Sequence, residues 1–321
     1  MAMMICLKWW CSINPSFWSR LYTNFQFAIF GRDETTMKQL SILILLFSSF
    51  AVAQSDLLDE LNAELDMGPL YAESAFKGLK IINLESTKMV DKGEVYFIVA
   101  HRFGSIQNGF DDFFGLDVAS NKLQLIYGVN DNINFGAARS SYQKTYALHT
   151  KLRLLRQQTE KSPVTIGAYG QLTINNQLDL DRNPELDFSD RLTYTAQALI
   201  SRKFNEKLSL QLTPTLIHKN LTERIVEDNL QFVMAAGGRY KLTKRLSLNM
   251  EYGLMTSRPK QLNYNNLLSI GFDIETGGHV FQLHFTNSRT MLEHSFLTEA
   301  TGDWSKGDIH FGFNISRVFD W

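Results

Sequence analysis

The chain has 321 residues, 32 Lys+Arg against 33 Asp+Glu, 44% hydrophobic residues and a mean hydropathy of −0.16. The net charge of −1 excludes a strongly basic nucleic-acid binder, and two cysteines exclude a disulfide-stapled scaffold. No run of about 20 apolar residues follows position 55, which excludes a bundle of membrane helices and leaves a soluble globular protein or a membrane β-barrel, whose apolarity hides in alternation.

In chain order, Met37-Lys38-Gln39 opens the apolar run Leu40–Phe47, and Ala51-Val52-Ala53 closes it. A basic start, a short apolar stretch and an A-x-A site predict a signal peptide over 37–53. Residues 1–36 hold both cysteines, Cys6 and Cys11, and read as an extension from a start codon placed too early. The expected mature piece, 54–321, has 28 basic and 31 acidic residues and no thiol. Residues 54–90 are expected to form a periplasmic or plug segment. Within it, Leu57, Leu58, Leu61 and Leu65 share one face of an expected short amphipathic helix over 55–65, with Ser55 as its N-cap. That helix fits a docking element, a lumen plug or a solvated tether. Residues 77–86 have strand composition and fit a periplasmic strand or a lumen segment.

From residue 91 the apolar period becomes 2 and stays there. Twelve segments carry it: about 93–103, 119–128, 132–141, 144–156, 163–174, 191–203, 207–218, 229–241, 245–256, 266–275, 279–287 and 307–319. Leu208, Leu210, Leu212 and Leu216 point one way, while Ser209, Gln211, Thr213 and Thr215 point the other. Short turns alternate with longer polar connections at 104–118, 175–190, 219–228, 257–265 and 288–306, the short 142–143 turn excepted. That alternation predicts an all-β fold: a transmembrane antiparallel β-barrel of about 12 strands over 91–321, behind a short N-terminal amphipathic helix. Even strand number puts both termini on the periplasmic side of an outer membrane. In the closure strand, Phe311, Phe313, Ile315, Phe319 and Trp321 share one face and end on an aromatic. Such a strand suits outer-membrane assembly machinery as a partner, with outer-membrane lipid around it.

Several stretches carry a family resemblance. The most specific are Glu275-Thr276-Gly277-Gly278-His279-Val280-Phe281-Gln282-Leu283 and Phe311-Gly312-Phe313-Asn314-Ile315-Ser316-Arg317; His101-Arg102-Phe103-Gly104 and Gly238-Arg239-Tyr240-Lys241 add to them. Over about residues 70–319 the chain resembles a β-barrel family of unknown function found in Bacteroidota. The resemblance implies an outer-membrane barrel and supplies no activity.

Alternation sends Lys151, Arg153, Tyr169, Gln197, Arg239, Glu251, Asp273, His284 and His310 to the lumen. Charges of both signs fit a water-filled pore, or cross-strand pairs in a closed interior. No H-x-x-x-H or C-x-x-C spacing exists, so no metal and no cofactor is expected. The run Asp179, Asp181, Asn183, Glu185 and Asp187 has calcium-loop spacing but Pro184 where the glycine belongs. Three functions follow: passage or binding of small solutes of unknown identity; a structural or partner-docking closed barrel; or a membrane lipid hydrolase using His101 or His218. No serine pairs with either histidine by spacing, so no catalytic residue is assigned. No nucleic-acid partner is expected.

Overall fold

A computed structural model describes residues 71–158, 161–222, 226–256, 258, 261–276 and 278–319. The expected helix over 55–65, the signal peptide, residues 1–36 and Trp321 lie outside the described residues. No helix among those described is long and apolar enough to cross a membrane. Strands do the crossing.

Twelve antiparallel strands close into one barrel. They are β1 (Val95–Ser105), β2 (Ala119–Asn130), β3 (Ile133–Ser140), β4 (Tyr146–Leu155), β5 (Thr165–Ile174), β6 (Leu192–Lys203), β7 (Leu208–Lys219), β8 (Leu230–Lys241), β9 (Leu246–Met255), β10 (Leu267–Thr276), β11 (His279–Thr286) and β12 (His310–Phe319). Their limits differ from the expected segments by at most three residues. All but the eight-residue β3 and β11 have at least the 9–11 residues a tilted strand needs to cross a bilayer of about 30 Å. Each strand pairs with its sequence neighbours, and β12 closes on β1 from Val95↔Phe319 to Ser105↔His310. Closure leaves no unpaired edge for lipid to meet. Pro214 in β7 has no N–H to give, and the β6–β7 pairing is interrupted there, between Gln197↔Thr215 and Ile200↔Leu212.

Alternation along each strand sorts the two faces. Leu123, Leu125, Tyr127, Leu210, Leu212, Leu216, Met250 and Tyr252 are exposed on the outside. Ser209, Gln211, Thr213, Thr215, Asn249 and Glu251, between them in sequence, are buried inside. One end of the barrel carries the short turns and the β4–β5 connection, and the other carries the longer loops and the short β3–β4 turn.

The lumen is filled. Residues 76–90 enter it, and no strand forms over 77–86. That segment folds back on itself, with the Ile81 N–H donating to Leu84 O at 2.8 Å and the Ser86 N–H to Leu79 O at 2.9 Å. Several of its other backbone groups bond side chains from the wall, and its strand-like composition forms no ladder with the barrel. The β11–β12 connection, expected as a polar outer loop, also turns inward. Its helix α1 (Glu293–Thr298) is buried along its whole length.

Candidate functional site: a gripped segment in the lumen

The wall holds the N-terminal segment through side chains from opposite sides of the barrel. Glu251 on β9 is the main anchor. Its carboxylate accepts the backbone N–H groups of Ile82 (3.3 Å), Asn83 (3.0 Å) and Leu84 (3.0 Å), and the Asn83 Nδ2 amide at 2.7 Å. A carboxylate that gathers several N–H donors makes strong, charge-assisted bonds. From β11 and β12, Gln282 Nε2 donates to Ile81 O at 2.9 Å and Asn314 Nδ2 to Ile82 O at 2.9 Å. From β1, Arg102 donates to Asn83 Oδ1 at 2.9 Å. From β7, Gln211 donates to Glu85 O at 2.7 Å and accepts the Thr87 N–H at 3.1 Å. From β4, Lys151 donates to Ser86 O at 3.0 Å.

A chain of buried ion pairs joins this segment to α1. Glu85 lies 2.7 Å from both Lys151 and Lys80, and Lys80 lies 2.6 Å from Glu293. Gln171 donates to the other Glu293 oxygen at 2.6 Å, and Lys122 donates to Met291 O at 3.0 Å. Burial opposes ionisation of Glu85 and Glu293, but Lys151 and Lys80 for the first, and Lys122 and Lys80 for the second, hold both carboxyls well below their usual range. Burial likewise opposes the Lys80 charge, and its two carboxylates prevail, raising it above the usual lysine value.

An apolar cluster completes the filling. Phe76, Ile81 and Leu84 of the N-terminal segment pack with Phe296 and Leu297 of α1 against Ile217, Val233, Ala235, Met255 and Leu267 of the wall. Burying each large side chain is worth about 1.5–3 kcal/mol relative to exposure. The inner face is therefore polar only in part; over β7–β10 it includes an apolar seat.

The sequence-derived lumen residues fall as follows. Lys151, Tyr169, Gln197, Arg239, Glu251, Asp273, His284 and His310 are buried, while Arg153 is half-buried. Lys151 and Glu251 grip the N-terminal segment directly. Arg239 donates to Ala75 O at 3.4 Å and Ser247 Oγ at 3.0 Å. Asp273 accepts from Gln282 at 2.9 Å, Tyr169 from Gln171 at 2.8 Å, and Gln197 donates to Thr215 at 3.1 Å. His310 meets Phe103 O at 3.2 Å, and His284 packs against Gly271 and Gly312. Arg153 belongs to a separate cleft at the turn end. In the closure strand Phe311, Phe313 and Ile315 are half-buried and Phe319 exposed. Lys80, Asn83, Glu85 and Glu293 lie off the strands, beyond the reach of alternation, whereas Arg102 and Lys122 lie on inward positions of β1 and β2 and were not singled out. Met291, Leu292, Phe296 and Leu297, four large apolar residues in a connection expected to be polar, were the signal for α1.

The candidate hydrolase histidines sit apart on the outer face. His101 Nδ1 bonds Asn121 Oδ1 at 2.5 Å, its ring stacks on Phe313 at 5.1 Å, and its Nε2 is buried without a hydrogen-bond partner. His218 lies beside Tyr194 at 6.3 Å. Among the described residues no serine hydroxyl bonds either ring. In the acidic loop, Asp179 pairs with Arg182 at 3.2 Å, and Asp187 and Asp190 cap a single helical turn.

No curated protein sequence matches the chain. Solved structures with a similar course include the KdgM porin (6% identity, TM-score 0.42, covering 71% of this chain and 99% of that one). The NanC porin has 7% identity, TM-score 0.43 and coverage of 71% and 99%. The COG4313 outer membrane channel from Pseudomonas putida F1 has 13% identity, TM-score 0.41 and coverage of 72% and 97%. Residues 76–319, which span the gripped segment and all twelve strands, match the model of the membrane bound beta barrel domain family (DUF5777), and the chain belongs to that family.

Proposed function

We propose that this chain is an outer-membrane barrel for passage or binding of small solutes, whose N-terminal segment and inward-folded β11–β12 loop form a plug. One observation carries the reading. The wall grips residues 76–90 with hydrophilic side chains of both signs, Glu251, Arg102, Lys151, Gln211, Gln282 and Asn314 among them. Freed of the plug, those side chains line a polar path and tune which solutes pass. Single-channel recording tests it: the intact barrel conducts little, and variants that weaken the grip conduct more. Barrels of this size lie between small filled ones and open porins, so the plug sets permeability.

A permanently closed barrel, structural or docking a partner, is the second reading. The apolar cluster of Phe76, Ile81, Phe296 and Leu297 favours it, because a dry core resists hydration. Sequence parity supports periplasmic turns and termini, and the two motif blocks support a Bacteroidota source. The aromatic closure strand supports recognition by outer-membrane assembly machinery.

A further inference from the structure

A second site lies outside the lumen, where β4 meets the β4–β5 turn. The pairing of β4 with β5 shifts register between Arg153 and Leu155. An unbroken strand would send neighbouring residues to opposite faces, but this bulge leaves Leu154 and Leu155 both exposed, at 65% and 42%. Beside them opens a cleft of about 400 Å³ lined by Arg153 and Arg156. The Arg156 guanidinium lies over the Tyr71 ring at 4.5 Å, and Tyr71 pairs with Gln158 of the turn, so the aromatic wall is fixed to the barrel. Among the described residues neither guanidinium has a carboxylate within ion-pair distance. Among the described residues lining the cleft, Asp131 is the one acid against two arginines, and Asn132 adds an amide.

Two guanidiniums without ion-pair partners among the described residues, next to an exposed leucine pair, present two chemistries side by side. Guanidinium matches a phosphate through parallel N–H donors and is weakly hydrated. Exposed leucines lining the same cleft match acyl methylenes. Free phosphate uses only the first and a neutral lipid mainly the second; an anionic phospholipid uses both. We propose that this cleft binds the phosphate of an anionic membrane phospholipid, with Arg153 and Arg156 on the phosphate and Leu154 and Leu155 against its acyl chain. Basic pockets at membrane boundaries commonly hold anionic head groups, and here the end of β4 brings two arginines and two leucines to one cleft.

Native mass spectrometry of the detergent-purified full barrel tests the assignment, with dioleoylphosphatidylglycerol, dioleoylphosphatidylcholine or inorganic phosphate added. The expected result is one tightly held phosphatidylglycerol per barrel, tenfold or more above phosphatidylcholine. R153Q/R156Q lowers its retention about tenfold, and L154S/L155S lowers it without changing inorganic phosphate retention. Arg317, exposed and stacked on Phe319 at 4.9 Å, lines no such cleft, so R317Q retains the lipid as the native chain does. Heat-modifiable migration confirms that each variant remains a closed barrel. Equal retention by R153Q/R156Q and the native chain overturns the proposal, as does equal loss in R317Q. Displacement of the lipid by millimolar inorganic phosphate also overturns it, in favour of a free-phosphate site.

Discussion

Lys80 Nζ lies 2.6 Å from Glu293 Oε1, and this contact joins a segment entering from one end of the barrel to a helix folded in from the other. Both side chains are buried, and each has a further charged or polar partner, Glu85 for Lys80 and Gln171 for Glu293. The two halves of the plug therefore share one electrostatic network. Loss of either partner is felt by both.

Removing one charge leaves the other buried with only its second partner, Glu85 for Lys80 or Gln171 for Glu293, at a cost of up to about 3–5 kcal/mol. K80M and E293Q should each raise hydrogen exchange in both 76–90 and 288–302. K80M/E293L should be milder than K80M alone, because apolar replacement of a whole pair is often neutral. Exchange confined to the mutated half would show that the two halves dock separately.

Glu251 gathers three backbone N–H groups of the plug. E251A leaves those donors without their acceptor, at about 1–3 kcal/mol for each one left unsatisfied. E251Q keeps one carbonyl oxygen and should fall between E251A and the native chain. Amide exchange at Ile82, Asn83 and Leu84 gives the ordering directly; equal exchange in all three proteins would refute the anchor.

Gly237 on β8 gives a steric test without touching charge. A Cβ there would meet Ile81 Cδ1 at 2.5 Å. Alanine can be absorbed by a shift of the Ile81 side chain, but G237V should overpack the seat and cost about 1–3 kcal/mol of plug docking. Barrel melting should change less than exchange in 76–90, because the strand ladder is untouched.

Acid should loosen the α1 half first. Burial holds His294 largely neutral, down at about 4, even though Glu299 and Glu293 nearby favour its charge; Lys219 and Lys122 oppose it. In the undocked loop the imidazole titrates near its ordinary value of about 6.5. Docking is thus fully stabilised above about 6.5 and weakens as pH falls toward 4. Glu85 and Glu293 have lowered folded values, so their contribution is lost only below the ordinary carboxylate range; that of Lys80, with a raised value, is lost only at strongly basic pH. Protection of 288–302 relative to the intrinsic exchange rate at each pH should therefore fall between pH 6.5 and 4 in the native chain and stay flatter in H294N.

All twelve strands were legible because a wall with lipid outside and polar groups inside writes its geometry as period 2. Residues 77–86, readable as a periplasmic strand or a lumen segment, stayed undecided for a physical reason. Lys-Gly-Leu-Lys-Ile-Ile-Asn-Leu-Glu-Ser has strand composition, but Glu251, Gln282 and Asn314 satisfy its backbone through side chains distant in sequence, which no local period records. Ile217, Val233 and Met255 broke the polar inner face, yet their meaning depends on Phe296 and Leu297 reaching them across the lumen. Glu251 and Lys151 were found because they sit on strands; Lys80 and Glu293 were not, because they do not.

Planar-bilayer recording of the native chain beside E251A and K80M is the most direct test of the plug. The account predicts rare, brief openings in the native chain and frequent or sustained conductance in both variants. Steady native conductance that neither substitution alters would contradict it.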